Sequence, residues 1–418
     1  MEYARTMLAN GSAPIIDPPV SRKSHILQGV QLTLHKDLAG CTDIWKAIEA
    51  RSDHWVFQSH EWITAWYEEI GANEGISPRI VVGWCHDVPQ LLIPLGLLQA
   101  GGLRRLTWLA SSWNDYNAPI IAYNFDIPID SKIITAFWKE ITDLAGPADI
   151  LELTKQTAYF ATGRANNFQH PWSQPEDNAS HARTLHDLKG RARLPMYGER
   201  TTSGFDRKLR KLGRQGDVEF VQLEDPTQAS AAVASMLEWK REALSRRGGT
   251  NPFVNEAARN FLIRISGSGW PEVRVYALTL NANPVAVILC LLEGSSVIVY
   301  QLGFDKIQAN TSPGQQALRK LAERVTAENF EALDFSFGDD PYKDALCDRR
   351  TELTRSILAI GVRGFFPAMI LRQRLWLRRW AKSNPSLRNA LLAINLKLKQ
   401  LSSWRLNKDQ THTPRRLK

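Results

Sequence analysis

From Phe57 to Gly71 the apolar residues Trp62, Trp66 and Ile70 recur every fourth position, with Ile63 and Tyr67 beside them and Glu68 and Glu69 outside. That spacing predicts one amphipathic helix. Two short apolar runs follow, Arg79–Cys85 and Leu91–Gln99, and His86, Asp87 and Pro89 between them predict a turn joining paired strands. Arg104–Ala110 is a further strand candidate. After it come a polar loop, Ser111–Pro119, and another short apolar run, Pro119–Asn124. Ser131–Ala145 has helical periodicity, and Asp149–Lys155 reads as a strand.

Residues 160–200 break this rhythm. They are polar, contain Pro171, Pro175 and Pro195, and read as a connector or an irregular excursion. Phe205–Phe220 then predicts a short basic helix, stopped at Gly216 and followed by a strand. Helices are expected over Thr227–Arg247, ended by Gly248 and Gly249, and within Val254–Gly269. The most regular part begins at Pro271. Val273–Leu280, Val285–Gly294 and Ser295–Asp305 form a three-strand meander with tight turns, then Asn310–Val325 predicts a helix and Ala332–Phe337 a strand. Residues 29–155 roughly repeat this element order without any residue-level repeat, so two like-folded halves are expected.

Composition adds constraints. A chain of 418 residues suits two or three domains. Four widely spaced cysteines without a CxxC pair argue against a zinc site and a disulfide framework, and fit a reducing cytoplasm. The N-terminus lacks a basic head followed by an apolar core, and the apolar runs are shorter than the ~20 residues a bilayer span requires, so a soluble, cytoplasmic protein is expected. The net charge of +9 is uneven: residues 363–418 hold fourteen Lys or Arg against one Asp, a local +13, which leaves −4 for residues 1–362. In that tail Phe365, Phe366, Met369, Ile370, Trp376 and Trp380 alternate with arginines. The pattern suits either an interfacial helix on an anionic membrane or a helix packed on the body with its basic face in solvent.

The C-terminal half combines a strand ending YQLGFD, a Ser-Pro-Gly that opens a helix, and DFSFGDDPYK. Together with the Phe57–Gly71 helix and the basic KLRKLGRQGDVEF segment, this resembles the CelD/BcsL-type acetyltransferase family of the GNAT superfamily, related to the FemAB-like tandem transferases. The resemblance covers about residues 55–348. It implies an α/β (α+β) fold of tandem GNAT-like domains, each a mixed, mostly antiparallel sheet flanked by helices, with a basic helical C-terminal tail. The expected layout is an arm over residues 1–27, domains over 28–185 and 186–362, and the tail over 363–418. It further implies an acyltransferase linked to cellulose or exopolysaccharide production, with acyl-CoA (acetyl-CoA) as co-substrate, no metal, and a sugar, polysaccharide precursor or amine as acceptor. An aminoacyl-tRNA donor, as in the FemAB relatives, and a non-catalytic scaffold at a membrane surface are the alternatives.

Acyl transfer from a thioester needs donors for the pyrophosphate, a route for the nucleophile's proton and an acid for the departing thiolate. Ser312, Pro313 and Gln315 fit a capping box at a helix start, while Gly314 would let a phosphate approach the backbone. Ser312, Gly314, Gln315 and Gln316 are therefore candidate donor-binding residues, although a cap and a phosphate compete for the same N–H groups. Thr311 and Gln316 depart from the superfamily's usual phosphate loop. By the superfamily's pattern Tyr342 is a candidate acid, with a packing tyrosine as the alternative. Asp334, on the face of its strand opposite Leu333 and Phe335, is either a general base or a structural carboxylate. Trp113, Asp115 and Tyr116 are candidates for acceptor binding or a turn, and Lys343 for an anionic donor or the solvated surface. No histidine lies between His186 and His412, so a base in this half is a carboxylate, a tyrosine, a water chain or a histidine reaching over from the first half.

Overall fold

The computed structural model describes residues 20–126, 130–247 and 251–383. In the first half lie strands β1 (Val20–Lys23), β2 (Val30–His35), β3 (Ser52–Asp53), β4 (Ser77–Cys85), β5 (Val88–Ala100), β6 (Leu103–Trp108), β7 (Ile120–Ala122) and β8 (Ile150–Gln156). β9 (Gln174–Thr184) precedes β10 (Val218–Gln222), β11 (Val273–Leu280), β12 (Asn283–Glu293), β13 (Ser296–Phe304), β14 (Ala332–Phe337) and β15 (Arg349–Ala359). The helices are α1 (Thr42–Glu49), α2 (His60–Trp66), α3 (Ser131–Ala145), α4 (Glu199–Gly213), α5 (Pro226–Arg247), α6 (Glu256–Ser266), α7 (Pro313–Ala327), α8 (Pro341–Leu346) and α9 (Phe365–Ser383).

All the strands belong to one mixed sheet, whose main path runs β1-β2-β4-β5-β6-β8-β15-β9-β14-β13-β12-β11-β10. Among the described strands two pairings are parallel, β6 with β8 and β13 with β14. Both are short: β13 and β14 pair only from Ser296/Ala332 to Ile298/Asp334 and then part. The same opening therefore recurs in each half, as the repeated element order requires. α3 buries Phe137, Trp138 and Leu144 in the first half's core, and α7 buries Leu318, Leu321 and Val325 against Ile288, Cys290 and Val297 in the second. A third core joins the halves: Trp45, Phe57 and Trp62 pack with Met236, Phe261 and Ile298. Trp62 meets Phe261 and Tyr300 edge-on at 4.8 and 5.2 Å between ring centres.

The expected elements are present with small shifts of boundary. His86 and Asp87, both with positive φ, make the β4–β5 turn, while Pro89 lies in the strand. The connector expected over residues 160–200 is different: it holds β9, which lies inside the sheet between β15 and β14. Its buried polar residues find partners there, Glu176 in an ion pair with Arg355 at 3.0 Å and His181 in a hydrogen bond with Asp339 at 3.0 Å, so apolar periodicity does not reveal it. Of the arm expected over residues 1–27, residues 1–19 lie outside the described residues, and the remainder includes β1. Of the tail, residues 384–418 lie outside them too. α9 packs on the body, burying Ala368 and Leu375 with Ile150 and Ile357.

Candidate active site

The loop between β6 and β7 is folded by its own amides. Asn114 donates to the Leu109 carbonyl at 3.1 Å and to Asn117 Oδ1 at 2.8 Å, and its Oδ1 accepts the Trp62 indole N–H at 2.8 Å. Asn117 in turn donates to the Thr154 carbonyl at 3.0 Å. Held this way, the loop lies against β13 and β14 of the other half. The Tyr300 hydroxyl donates to the Trp113 carbonyl at 2.8 Å, and Ser336 Oγ donates to Asp115 Oδ2 at 2.6 Å. The Tyr116 hydroxyl donates to Asp334 Oδ2 at 2.7 Å, across 218 residues of chain.

Asp334 is the last residue of β14 paired to β13, so its carboxyl stands where the two strands part. Its Oδ1 accepts the Ser336 backbone N–H at 2.6 Å. β14 bulges just beyond, and Ser336 takes a left-handed conformation, φ 63°. Burial pushes the Asp334 carboxyl up to about 6, against the bonds from Tyr116 and Ser336 that pull it down. Burial raises the Tyr116 phenol well above its ordinary range, and the adjacent carboxylate adds to the shift. Ser180 of β9 lies beside the same phenol and opposes the rise. Trp55 covers it, with ring centres 4.4 Å apart.

Two lysines flank the group, Lys155 half-buried and Lys343 buried. Lys155 donates to the Asn114 carbonyl, stands 3.8 Å from Asp115 and lies over the Phe337 ring at 5.1 Å. Lys343 is 3% exposed and donates to the Ser336 and Phe337 carbonyls at 3.2 and 3.3 Å, so it braces the end of β14 and is no solvated surface charge. Burial lowers the pKa of both. Glu293, at the end of β12, accepts the Val56 N–H from the first half. Burial pushes its carboxyl up to about 8, and Asp334 adds to the shift.

The structure thus brings together Asp115, Tyr116, Asp334 and Lys343. Trp113 joins them through its backbone, while its ring packs on Phe261 at 5.7 Å. Tyr342 is elsewhere. It lies in the first turn of α8 with its ring 6.2 Å from Phe335, a residue facing the α7 side of β14, whereas Asp334 faces the loop of the first half. Tyr342 is 40% exposed, and burial of its phenol raises it to about 12.

The start of α7 differs from the expected capping box. Ser312 is left-handed (φ 54°, ψ 52°) and makes no side-chain cap; its Oγ accepts from Lys208 Nζ at 2.8 Å. Gln315 accepts from the Tyr197 hydroxyl, and Gln316 donates to the Phe205 carbonyl at 2.7 Å. With Asp206 on Arg319 at 2.6 Å, α4 and the residues before it lie along the start of α7. The first N–H groups of α7 are therefore left without a side-chain acceptor, and Lys208 stands beside them. Gly314 is buried, and a Cβ on it would meet Phe304 at 3.0 Å and Leu302 at 3.2 Å. An anion-binding helix start with a neighbouring ammonium is what a pyrophosphate needs.

Sequence reasoning did not single out Trp55, Lys155, Ser180, His181, Glu293 or Ser336. Only Ser336, inside DFSFGDD, had a nearby signal. No group of three or more potential metal ligands occurs among the described residues, and no described helix is long and apolar enough to cross a membrane.

Residues 200–344 match the family described as Acetyltransferase (GNAT) domain. No curated protein matches the chain. Among solved structures, FemX is similar over 78% of this chain and 96% of its own at 9% identity, with a TM-score of 0.51. A Bacteroides thetaiotaomicron protein of unknown function aligns over 78% of this chain and 99% of its own, at 12% identity and a TM-score of 0.49. At such identities the likeness concerns the fold. The chain thus shares its overall fold with FemX, and the GNAT acetyltransferase domain matched over residues 200–344 supports an acyltransferase enzyme.

Proposed function

We propose that the chain moves an acyl group from acyl-CoA to an amine or hydroxyl, with Asp334 as the base that takes the acceptor's proton. The observation carrying this reading is the Tyr116–Asp334 bond, made between the two halves at the point where β13 and β14 part. A carboxyl raised to about 6 is ionised at neutral pH yet basic enough to accept a proton. The acceptor's nitrogen or oxygen bonds to the acyl carbon, the carbon–sulfur bond breaks, and the proton passes to Asp334 directly or through the Tyr116 hydroxyl. Tyr342, on the other side of β14, is the candidate acid for the thiolate, since a donor threaded through the gap reaches both faces. Ser312, Gly314, Gln315 and Gln316 at the start of α7 hold the pyrophosphate, aided by Lys208, and Lys343 fixes the end of β14 beside the donor.

The acceptor enters against Trp113, Asp115 and Tyr116. A sugar or polysaccharide precursor of the cell envelope suits this polar, aromatic-backed group, as in the CelD/BcsL-type family the sequence resembles, with the chain working in the cytoplasm or peripherally at the inner membrane. Calorimetry with acetyl-CoA and longer acyl-CoAs tests the donor. Binding is expected, weakened at least ten-fold in Gly314→Leu, and no binding of any CoA refutes this donor. An aminoacyl-tRNA is the other donor the basic α4 would suit, and a gel shift with charged tRNA at low salt is the parallel arm. Asp334→Asn should lower thiol release in the presence of acceptor by about 10²-fold or more, the range of general-base contributions, with donor affinity unchanged.

A further inference from the structure

We infer that α9 is a docking surface for an anionic phospholipid bilayer. The helix has two apolar faces. Ala368 and Leu375 are buried on the sheet, and Arg372 is tied to the Ile357 carbonyl, so the inner face is fixed to the body. On the outer side Phe366, Met369, Ile370, Trp376, Leu377 and Trp380 stand 39–66% exposed. At 100° per residue these six fall on one stripe, roughly opposite Leu371 and Leu375. Trp376 and Trp380 stack within it, their ring centres 6.2 Å apart.

A contiguous apolar stripe on a monomer marks a contact surface, and its charges identify the partner. Arg363, Arg374, Arg378 and Arg379 are exposed along the same helix and its entry, and residues 362–383 contain no Asp or Glu. Aromatic residues at headgroup depth, flanked by arginines, suit the boundary between acyl chains and anionic headgroups. Arg363 lies near Asp149 and Arg379 near Glu176 and Glu352 of the body, whereas Arg374 and Arg378 stand exposed on a helix without Asp or Glu, and anionic headgroups supply the counter-charge that an apolar protein surface would not. The loop carrying the exposed Trp172 borders the helix, since His170 lies close enough to Arg372 to feel its charge. This inference is independent of the acyl-transfer reading.

Flotation of the full chain with vesicles tests it. Vesicles of phosphatidylcholine with about a third phosphatidylglycerol should carry the protein, and pure phosphatidylcholine vesicles should carry at least ten-fold less. Raising salt from 0.1 to 0.5 M should reduce binding several-fold. The outer-face variant Phe366→Ser/Ile370→Ser/Leu377→Ser should lose at least ten-fold in binding with an unchanged circular dichroism spectrum, because none of these residues is buried. Arg374→Gln/Arg378→Gln/Arg379→Gln keeps the stripe and should lose binding only to the anionic vesicles. Brominated lipids should quench wild-type fluorescence more than that of Trp376→Phe/Trp380→Phe. Equal binding of wild type and the outer-face variant would assign any membrane contact to residues 384–418 and overturn the proposal. A dimer in sedimentation velocity that the outer-face variant abolishes, without vesicle binding, would overturn it in favour of a second copy.

Discussion

Tyr116→Phe separates a working Tyr116–Asp334 pair from a merely structural one. Asp334 has a folded-state pKa of about 6 against an ordinary 3.8, so the folded chain holds this proton more tightly than the unfolded one. The resulting stability is fully present below about pH 3.8 and lost as pH rises through about 6. Two units correspond to roughly 3 kcal/mol at ~1.4 kcal/mol each. The Tyr116 hydroxyl opposes this shift by donating to the carboxylate at 2.7 Å. A hydrogen bond to a charged acceptor is worth about 1.5–3 kcal/mol, so its removal should raise the Asp334 pKa by a further one to two units. The variant's loss of stability should therefore be small at pH 4, where the carboxyl is protonated either way, and larger by about 1.5–3 kcal/mol at pH 8. Urea unfolding of wild type, Tyr116→Phe, Asp334→Asn and the double variant between pH 4 and 8 reads this directly. The acid limb of acyl transfer should move upward by the same amount. Equal destabilisation by Tyr116→Phe at pH 4 and pH 8 would refute the reasoning, as would a pH slope that survives unchanged in Asp334→Asn.

Asn114→Ala should destabilise by about 1–3 kcal/mol, since it leaves the buried Trp62 indole N–H unpaired, and it should lower transfer although Asn114 is not placed on the acceptor. Urea midpoints and thiol release measure the two effects. Lys208→Gln should weaken acyl-CoA binding by calorimetry and flatten its salt dependence, because one ammonium beside the start of α7 is lost. Burial pushes Cys41 and Cys347 up to about 12 and raises Cys85 and Cys290 as well, so the native chain should react slowly with Ellman's reagent at pH 7.5 and all four thiols should react in urea.

The division between what the chain's pattern reveals and what it hides follows the kind of burial involved. Helices such as α3 and the meander β11–β13 bury apolar side chains on a fixed period, so periodicity finds them within a few residues. β9 and β15 hold the middle of the sheet with little of that signal. β9 buries Glu176 and His181, and each has a partner far away in the chain, Arg355 and Asp339. A strand whose inward residues are polar is stable only once those partners are in place, and one-dimensional reading cannot supply them. The helix start at Ser312 shows the same limit. A capping box was legible there, but Lys208 takes Ser312 Oγ and Tyr197 takes Gln315, so the local motif yields to contacts with α4 and the chain before it.

The candidate site extends this point from stability to chemistry. Asp115, Tyr116 and Asp334 were legible one by one as residues with two readings each, because a carboxylate or phenol on a strand or loop is ambiguous alone. Their pairing is a property of the shared core: Trp62 packs on Phe261 and Tyr300 of the second half while its N–H fixes Asn114, and Asn114 fixes the loop that presents Tyr116. The first half is thus no passive duplicate of the second. It supplies the hydrogen bond that keeps the half-buried Asp334 carboxyl at about 6 instead of higher, and so ionised at neutral pH. Separated from the first half, the second half would leave Asp334 without that donor, and a GNAT domain of 145 residues read alone would miss the group that tunes this carboxyl.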